Sequence, residues 1–511
     1  MSFQSVLYSR IEPDMRTEQA QAPDFFGDLN LDQIIAAAIS GKDEYDLKPF
    51  FHRKLDDVDD IVYRHEVMRD LEVPDLFGHV TAFAGRMHEM RRHLQQSEKL
   101  YYRLQKNSWF VDAVAIYYEA VRQLLTDLQK TEPQSRGLRG LRDYLHGYVA
   151  SNSFSELVLD TGRVTTNLGS VNYCFLINGS SVTVRKYDDE SDYSAEVAQT
   201  FEKFRQAAPR DYRFKLTEFV EMNHIEAQVL DLVARLHPEV FSYFDEYCTK
   251  YRNFGDPTVL RFDREVQFYI SYLDYVSKLK RAGLKFSYPR VSWETKEVGG
   301  NEVFDLALAT KLVDEKSTVV TNDFCLQGRE RAFVVSGPNQ GGKTTFARTF
   351  GQLHYLACLG LPVPGTRLQL FLFDRIFVHF ERGENVADLR GKLQDDLIRI
   401  RGILDEATSD SLIIMNEIFS STTLEDAVFL ATDVMRRILD LGCLCVCVTF
   451  LEELASLSSA VVSMVSTVVP EDPAQRTFKV IRRPADGRAY AISIAEKYRV
   501  TYAALRERIA S

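Results

Sequence analysis

The residues with the clearest chemistry lie in a glycine-rich stretch, VVSGPNQGGKTT at residues 334–345. Its central part fits the pattern G-x-x-x-x-G-K-[ST] and stands between an apolar run and a segment with helical periodicity. Glycines let successive backbone N–H groups turn towards one anion, the following helix adds its positive amino-terminal end, and the lysine neutralises nucleotide phosphates. The residues that we expect to bind phosphate are Gly337, Pro338, Asn339, Gln340, Gly341, Gly342, Lys343, Thr344 and Thr345.

A polar pair, Asn416 and Glu417, ends the apolar run SLIIMNEIF further along the chain. Glu417 is suited to orient or deprotonate a water aimed at a γ-phosphate, which makes it the candidate catalytic residue. The alternative is that it merely ends a strand at a surface turn. Thr344 and Asn416 are the candidate ligands of Mg²⁺, although an amide lacks the charge that steadies a divalent ion. No guanine-reading N-K-x-D motif follows, so we predict ATP with Mg²⁺ as the ligands.

The elements that must hold these residues follow from periodicity. From residue 331 onward strand-like and helical segments alternate, which predicts an α/β region with a largely parallel sheet. Residues 28–150 carry apolar side chains at helical spacing. Between residues 151 and 190 the pattern alternates as in strands, first in FSELVLD and then on both sides of a hairpin turn at Asn178 and Gly179. Helical periodicity then resumes.

These patterns predict a multidomain protein whose N-terminal part is all-α with a small β-rich insertion and whose C-terminal part is α/β. The predicted boundaries are a loosely held arm or edge strand at 1–27, a helical domain at 28–300 and a phosphate-binding domain at 301–511. A length of 511 residues agrees with two to four domains.

Charge argues only weakly for a nucleic-acid partner. The net charge is −11, which disfavours a surface that binds polyanions as a whole. One stretch is locally basic, and for it a solvated helix face is favoured over a nucleic-acid contact. Its basic residues are Arg86, Arg91, Arg92, Lys99, Arg103 and Lys106.

Cysteine usage and the apolar runs indicate the compartment. Cys443, Cys445 and Cys447 alternate along one predicted strand, and we interpret them as small buried residues in preference to a metal site. Seven cysteines are an odd number for a disulfide framework, which favours a reducing compartment. No apolar run is long enough for a signal peptide or a membrane span, so we expect a soluble, cytoplasmic protein without a membrane partner.

Four motifs in order resemble the MutS mismatch-repair ATPases over roughly residues 300–505. GPNQGGKTT is similar to the family's GPNMGGKST, and it is followed by FDRIF, ATSDSLIIMNEI and FKVIRRPADGRAYAISIAEKYRV. The stretch DDVDDIVYRHEVMRDL looks like the family's core and lever helices. The resemblance implies an ABC-type ATPase that dimerises around nucleotide, with DNA as partner. The chain looks like a short member, without the mismatch-reading and connector domains.

Three departures from the family pattern weaken hydrolysis more than binding. Gly391 stands where the family's signature loop has serine, Phe450 where it has a histidine that senses γ-phosphate, and Asn416 where an aspartate is usual. We therefore expect a homodimer that binds ATP, hydrolyses it slowly and acts on DNA, with ATP controlling closure of heads and arms. The alternative is a nucleotide-gated scaffold for a protein partner, without a DNA role. A DNA role needs the basic stretch to share a surface with Lys278, Lys280 and Arg281.

Overall fold

The computed structural model describes residues 3–10, 21–179, 181–188, 196–197, 199–201, 222–380, 391–485, 501 and 506. Its helices are α1 (Leu31–Ala38), α2 (Lys48–His52), α3 (Val58–Leu71), α4 (Pro74–Lys99), α5 (Arg103–Thr131), α6 (Arg136–Val149), α7 (Asn152–Gly169), α8 (His224–Leu236), α9 (Pro238–Lys250), α10 (Pro257–Arg281), α11 (Leu306–Asp314), α12 (Lys343–Cys358), α13 (Lys392–Glu406) and α14 (Leu424–Leu441). Within these described ranges, no helix combines the length and the apolar character that a membrane crossing requires.

The strands are β1 (Tyr173–Asn178), β2 (Ser181–Lys186), β3 (Phe286–Ser287), β4 (Arg290–Ser292), β5 (Val298–Val303), β6 (Asn322–Leu326), β7 (Ala332–Ser336), β8 (Val363–Pro364), β9 (Thr366–Phe371), β10 (Ile376–His379), β11 (Leu412–Asn416), β12 (Leu444–Val448), β13 (Val461–Val469) and β14 (Asp472–Arg482). The chain divides into two compact units, one made of residues 1–3, 74–133 and 139–263 and the other of the remainder. The boundaries predicted from sequence stay predictions.

The first unit is mainly helical. The long helices α4 and α5 pack against each other, and α5 also packs on α7 and α9. Its core is an apolar cluster contributed by several helices: Leu104, Val111, Val164, Val233, Phe241, Phe244 and Tyr247. The strands β1 and β2 form an antiparallel hairpin in which Asn178 pairs with Ser181, and Gly179 has a φ of +63°. The predicted hairpin turn is therefore confirmed.

The strand interpretation of FSELVLD was wrong, because this stretch lies inside helix α7. Ser151 caps that helix by accepting a hydrogen bond from the backbone N–H of Phe154. The buried residues are Phe154, Leu157, Thr161 and Val164, which is helical spacing. A short apolar run fits both periods, and here the cap and the longer helical repeat decide.

The second unit contains a six-stranded sheet in the order β10-β11-β12-β7-β13-β14. The first five strands are parallel, and β14 pairs antiparallel with β13 at one edge. Helices α12, α13 and α14 alternate with these strands along the chain, as βαβ connections require. The prediction of an α/β region with a largely parallel sheet is confirmed.

The cysteine-rich strand lies in the core of this sheet. Cys443, Cys445 and Cys447 are all fully buried and belong to one apolar cluster with Ile413 and Met415. Burial raises the pKa of the Cys443 thiol to about 11 and that of Cys447 to about 12. These thiols therefore pack as small apolar side chains.

The expectation of a loosely held amino-terminal arm was wrong for residues 5–7. Val6 and Leu7 are fully buried, and the Ser5 hydroxyl donates to a Glu265 carboxylate oxygen over 2.8 Å. The Tyr63 hydroxyl donates to the Ser5 carbonyl over 2.7 Å. Residues 11–20 of the predicted arm lie outside the described residues. No periodic pattern marks this segment, because the residues that hold it come from distant parts of the chain.

Candidate functional site

The glycine-rich turn predicted to bind phosphate follows β7 directly, and we call residues 337–342 the glycine loop. Strand β7 is buried over its whole length, and helix α12 begins at Lys343. Gly337 and Gly342 have φ values of +113° and +93°, which L-residues rarely adopt. A Cβ at Gly341 would lie 2.1 Å from the Ser466 hydroxyl oxygen, so no larger residue fits there without a shift. The loop is therefore a tight turn that opens into a helix amino terminus.

The side chain of Lys343, the first residue of α12, contacts the glycine loop. Its ammonium donates to the Gly337 carbonyl over 2.8 Å and to the Asn339 side-chain oxygen over 3.1 Å, and the residue is buried. Burial lowers the pKa of Lys343, the nearby Glu417 carboxylate opposes that change, and Arg476 adds to it by repulsion. A buried ammonium held only by neutral oxygens gains electrostatic stabilisation when an anion approaches.

Thr344 and Asn416 meet across the sheet edge. The Thr344 hydroxyl donates to the Asn416 side-chain oxygen over 2.9 Å. Asn416 ends β11, and the carboxyl ends of parallel strands share one edge of the sheet, which explains why residues so distant in sequence touch. Two neutral oxygen donors thus lie side by side next to the glycine loop.

Glu417 occupies the turn that follows β11. Its φ is +52°, an uncommon value for a residue with a side chain, and its backbone N–H donates to the Val448 carbonyl over 2.8 Å. This bond ties the turn to the end of β12. Glu417 follows Asn416 in the chain, and Lys343 precedes Thr344, so the Thr344–Asn416 hydrogen bond places these four residues in one region.

The other loop residues predicted to bind phosphate surround this group. Pro338 and Gly341 are buried, while Asn339 and Gln340 are exposed. Thr345 follows in the first turn of α12, where its carbonyl accepts from the Thr349 hydroxyl over 2.8 Å. The phosphate-binding roles of these residues stay predictions.

Gly391 and Phe450 carry the other two departures. Gly391 is the residue before α13, with φ −69° and ψ 149°, and residues 381–390 lie outside the described part of the chain. Phe450 is 50% exposed just beyond β12. Its neighbour Thr449 donates its backbone N–H to the Val335 carbonyl over 3.1 Å, which ties this segment to the strand that leads into the glycine loop.

Two residues that contact the glycine loop were not predicted from the sequence. The Ser466 hydroxyl donates to the Gly341 carbonyl over 2.7 Å, and the Arg476 guanidinium donates to the Asn339 carbonyl over 3.1 Å. Ser466 lies in the mainly apolar run VVSMVSTVV. A serine buried in such a strand needs a hydrogen-bond partner, and this is the one signal that the sequence offered.

Metal ligation rests on few protein groups here. Among the residues that the structure describes, no group of three or more His, Cys, Asp or Glu side chains is arranged to hold a metal ion. The oxygens of Thr344 and Asn416 are of the type that Mg²⁺ prefers, and Mg²⁺ commonly takes one or two protein ligands together with phosphates and waters. The residues present therefore fit a magnesium ion that arrives with a nucleotide.

Comparison with known proteins gives one family. The family model for MutS domain V matches residues 333–507. The chain is 25% identical over 301 residues to the DNA mismatch repair protein MutS of Thermotoga maritima, which covers 56% of this chain and 36% of that protein. It is 28% identical over 214 residues to the protein of the same name from Zymomonas mobilis, covering 40% and 25%.

A third relative, the DNA mismatch repair protein MutS of Psychrobacter cryohalolentis, is 32% identical over 145 residues, which is 28% of this chain and 14% of that protein. The chain thus spans about a third or less of the length of these relatives. The residues matched by the family model include β7 from its second residue onward, the glycine loop, Asn416 and Glu417. The match to domain V and the similarity to these relatives support membership of the MutS family.

Proposed function

We propose that this chain binds ATP, hydrolyses it slowly and acts on DNA in a mismatch-repair-related role as a homodimer. The observation that carries the proposal is the convergence of Lys343, Thr344, Asn416 and Glu417 beside one tight loop. A phosphate-binding turn, a metal-binding pair and a carboxylate are the groups that phosphoryl transfer to water requires. The relatives' name, DNA mismatch repair protein, supports the DNA role.

Binding begins with the glycine loop. The triphosphate enters at the amino terminus of α12, where backbone N–H groups and the positive helix end face it. The Lys343 ammonium exchanges its contacts with Gly337 and Asn339 for phosphate oxygens. Because this ammonium is buried among neutral oxygens, the exchange gives it a charged partner and favours a ligand with several negative charges.

Magnesium would be held by Thr344 and Asn416 together with phosphate oxygens. When bound, the ion neutralises charge that develops on the phosphate oxygens. Neither protein ligand is charged, so the affinity for Mg²⁺ is lower than at a site with a carboxylate. Slow hydrolysis follows, because less of the ATP carries its metal at a given Mg²⁺ concentration.

Glu417 aligns the attacking water. The water oxygen forms the new bond to the γ-phosphorus while the bond to the β,γ-bridging oxygen breaks, and Glu417 accepts the water's proton, giving ADP and inorganic phosphate. The turn that holds Glu417 is tied to β12 through the Val448 carbonyl, which limits the carboxylate's movement. The Phe450 side chain has no N–H or O–H group that could donate a hydrogen bond to the γ-phosphate, which lowers the rate further.

The dimer would close around nucleotide, with residues near Gly391 of one subunit facing the glycine loop of the other. A glycine at the start of α13 offers a backbone N–H and the positive helix end to phosphate, but no hydroxyl. ATP therefore stabilises the dimer less than it would if this residue were serine.

One observation favours a second function, a nucleotide-gated scaffold without a DNA role. Several cations proposed to face DNA already have carboxylate partners: Arg86 with Glu89 and Glu119, Arg91 with Asp263, Arg103 with Asp245, Lys278 with Asp314, and Lys280 with Glu72. Paired cations release fewer counterions from DNA. We keep the DNA role first because the relatives are mismatch repair proteins.

Steady-state ATP turnover tests the proposal, measured with and without Mg²⁺ and with duplex or branched DNA. We expect slow, Mg²⁺-dependent turnover that DNA stimulates and that Glu417→Gln abolishes while ATP binding persists. Arg437→Gln, which removes an exposed charge paired with Asp433 on α14, is the control and should leave turnover unchanged. Turnover that survives Glu417→Gln would refute the catalytic assignment, and turnover indifferent to every DNA would favour the scaffold.

A further inference from the structure

The β13–β14 hairpin contacts the glycine loop, although both strands lie far beyond α12 in the chain. Ser466, on β13, is fully buried and donates its hydroxyl to the Gly341 carbonyl over 2.7 Å. A Cβ at Gly337 would lie 2.8 Å from the Ser466 carbonyl oxygen, so the strand backbone also touches the start of the loop. One residue thus contacts both ends of the glycine loop.

The second strand of the hairpin supplies a cation. The half-buried Arg476 donates from Nε to the Asn339 carbonyl over 3.1 Å. Arg476 also lowers the pKa of Lys343 by charge repulsion, which agrees with a position near that ammonium. Asn339 also accepts a hydrogen bond from Lys343, which links both cations to one loop residue.

An irregularity in the pairing brings these groups to the loop. Ser466 pairs with Val480 and Val468 pairs with Arg476, so β14 has three residues where β13 has one. Phe478 lies in this bulge with a φ of +59°, and its carbonyl oxygen is 3.5 Å from the position that a Cβ on Gly342 would take. Bulges commonly redirect side chains next to functional sites.

We propose that Ser466 and Arg476 are positioning residues of the phosphate site, through which the β13–β14 hairpin sets the affinity for a polyphosphate. The inference deepens the proposed ATP-binding function and rests on it. Ser466 fixes the Gly341 peptide, and Arg476 fixes the Asn339 peptide and adds a positive charge. Both peptides belong to the turn whose N–H groups would meet the phosphates.

The same strand offers a matched control for Ser466. The Ser463 hydroxyl is buried on β13 but has no hydrogen-bond partner within the described residues. Ser463→Ala therefore removes a hydroxyl from this strand without touching the glycine loop. Arg437→Gln is the charge control for Arg476→Gln, because among the described residues Arg437 pairs only with its helix neighbour Asp433 on an exposed face.

The experiment is isothermal titration of the full chain with ATP and with inorganic tripolyphosphate, which carries phosphates without a base. We expect Ser466→Ala and Arg476→Gln each to weaken both ligands by about tenfold, the factor that a loss of about 1.4 kcal/mol corresponds to. Arg476→Lys keeps the charge and should bind more tightly than Arg476→Gln. The two control variants should bind as the wild type does.

The outcomes separate the two proposals. A wild-type chain that binds neither ATP nor tripolyphosphate overturns the proposed function and the inference together. Normal binding by wild type, Ser466→Ala and Arg476→Gln overturns the inference alone. A fall in ATP affinity without a fall in tripolyphosphate affinity also overturns it, because the effect would then lie outside the phosphate site. If Ser466→Ala unfolds, as its melting temperature would reveal, the three arginine variants decide.

Discussion

Replacing Asn416 by aspartate should raise the affinity for Mg²⁺ and the rate of ATP hydrolysis. The change keeps the size of the side chain and the oxygen that accepts the Thr344 hydroxyl at 2.9 Å, and it adds one negative charge beside the glycine loop. Asn416 is half-buried at the end of β11, so the new carboxylate stays partly hydrated and ionised near neutral pH.

The magnitude follows from the charge that the aspartate adds. The attraction between a carboxylate and a unit cation about 4 Å away is about 4 kcal/mol at an effective dielectric constant of about 20, and a divalent ion doubles it. Hydration of a half-buried group leaves about 2 kcal/mol, which corresponds to about a thirtyfold lower Mg²⁺ concentration for half-maximal turnover.

The assay is ATP turnover as a function of Mg²⁺ concentration, at saturating ATP, for the wild type and Asn416→Asp. Gln33→Glu, which makes the same amide-to-carboxylate change at an exposed position on α1, is the control and should leave the Mg²⁺ dependence unchanged. An unchanged or higher Mg²⁺ requirement in Asn416→Asp would refute the idea that the missing charge at this position limits the metal.

Three further predictions concern DNA, acid and thiol reactivity. If α4 contacts DNA, charge reversal at the exposed Arg92 and Lys99 should reduce the slope of log affinity against log salt by about 2, and an unchanged slope in a filter-binding titration would exclude contact there. Burial lowers the pKa of His65 to about 3, so between that value and its unfolded value near 6.5 only the unfolded chain binds the proton. Urea titrations should therefore show that the free energy of unfolding falls as the pH drops through this window. The fall should be less steep in His65→Gln. Cys447, whose pKa burial raises to about 12, should react with iodoacetamide at pH 8 only after unfolding, as peptide mass spectrometry would show.

Local signals in the sequence were enough for the strand, turn and helix around the glycine loop. The glycines, the lysine and the apolar strand before them lie within a few residues of one another, so their pattern alone predicts a strand, a turn and a helix start, as found in β7 and α12. The pairing of Thr344 with Asn416 followed from one additional assumption, a parallel sheet, since parallel strands end at the same edge.

What the sequence did not reveal depends on contacts between distant parts of the chain. Nothing in the local sequence marks Val6 and Leu7 as buried residues. The backbone N–H of Val6 donates to a Glu265 carboxylate oxygen, and the Tyr63 hydroxyl donates to the backbone carbonyl just before Val6. Ser466 reaches the glycine loop only because β13 pairs with β7, a neighbour that no sequence pattern specifies. The irregular pairing of β13 and β14 likewise determines the direction of a side chain on β14. Such a bulge leaves no signal in the periodicity of the sequence.

The hydrogen bonds beside the glycine loop explain what Asn416 contributes. Its amide oxygen accepts from Thr344, and the Lys343 ammonium has two oxygen acceptors in the loop, so the Asn416 side chain itself brings no charge that demands a cation. An aspartate there would add a negative charge that a divalent ion relieves, and metal and nucleotide binding would become strongly coupled. With asparagine the coupling is weaker. We therefore expect the affinity for ATP to depend less on Mg²⁺ in the natural chain than in Asn416→Asp, and equal dependence in both would mean that the charge at this position does not couple the two ligands.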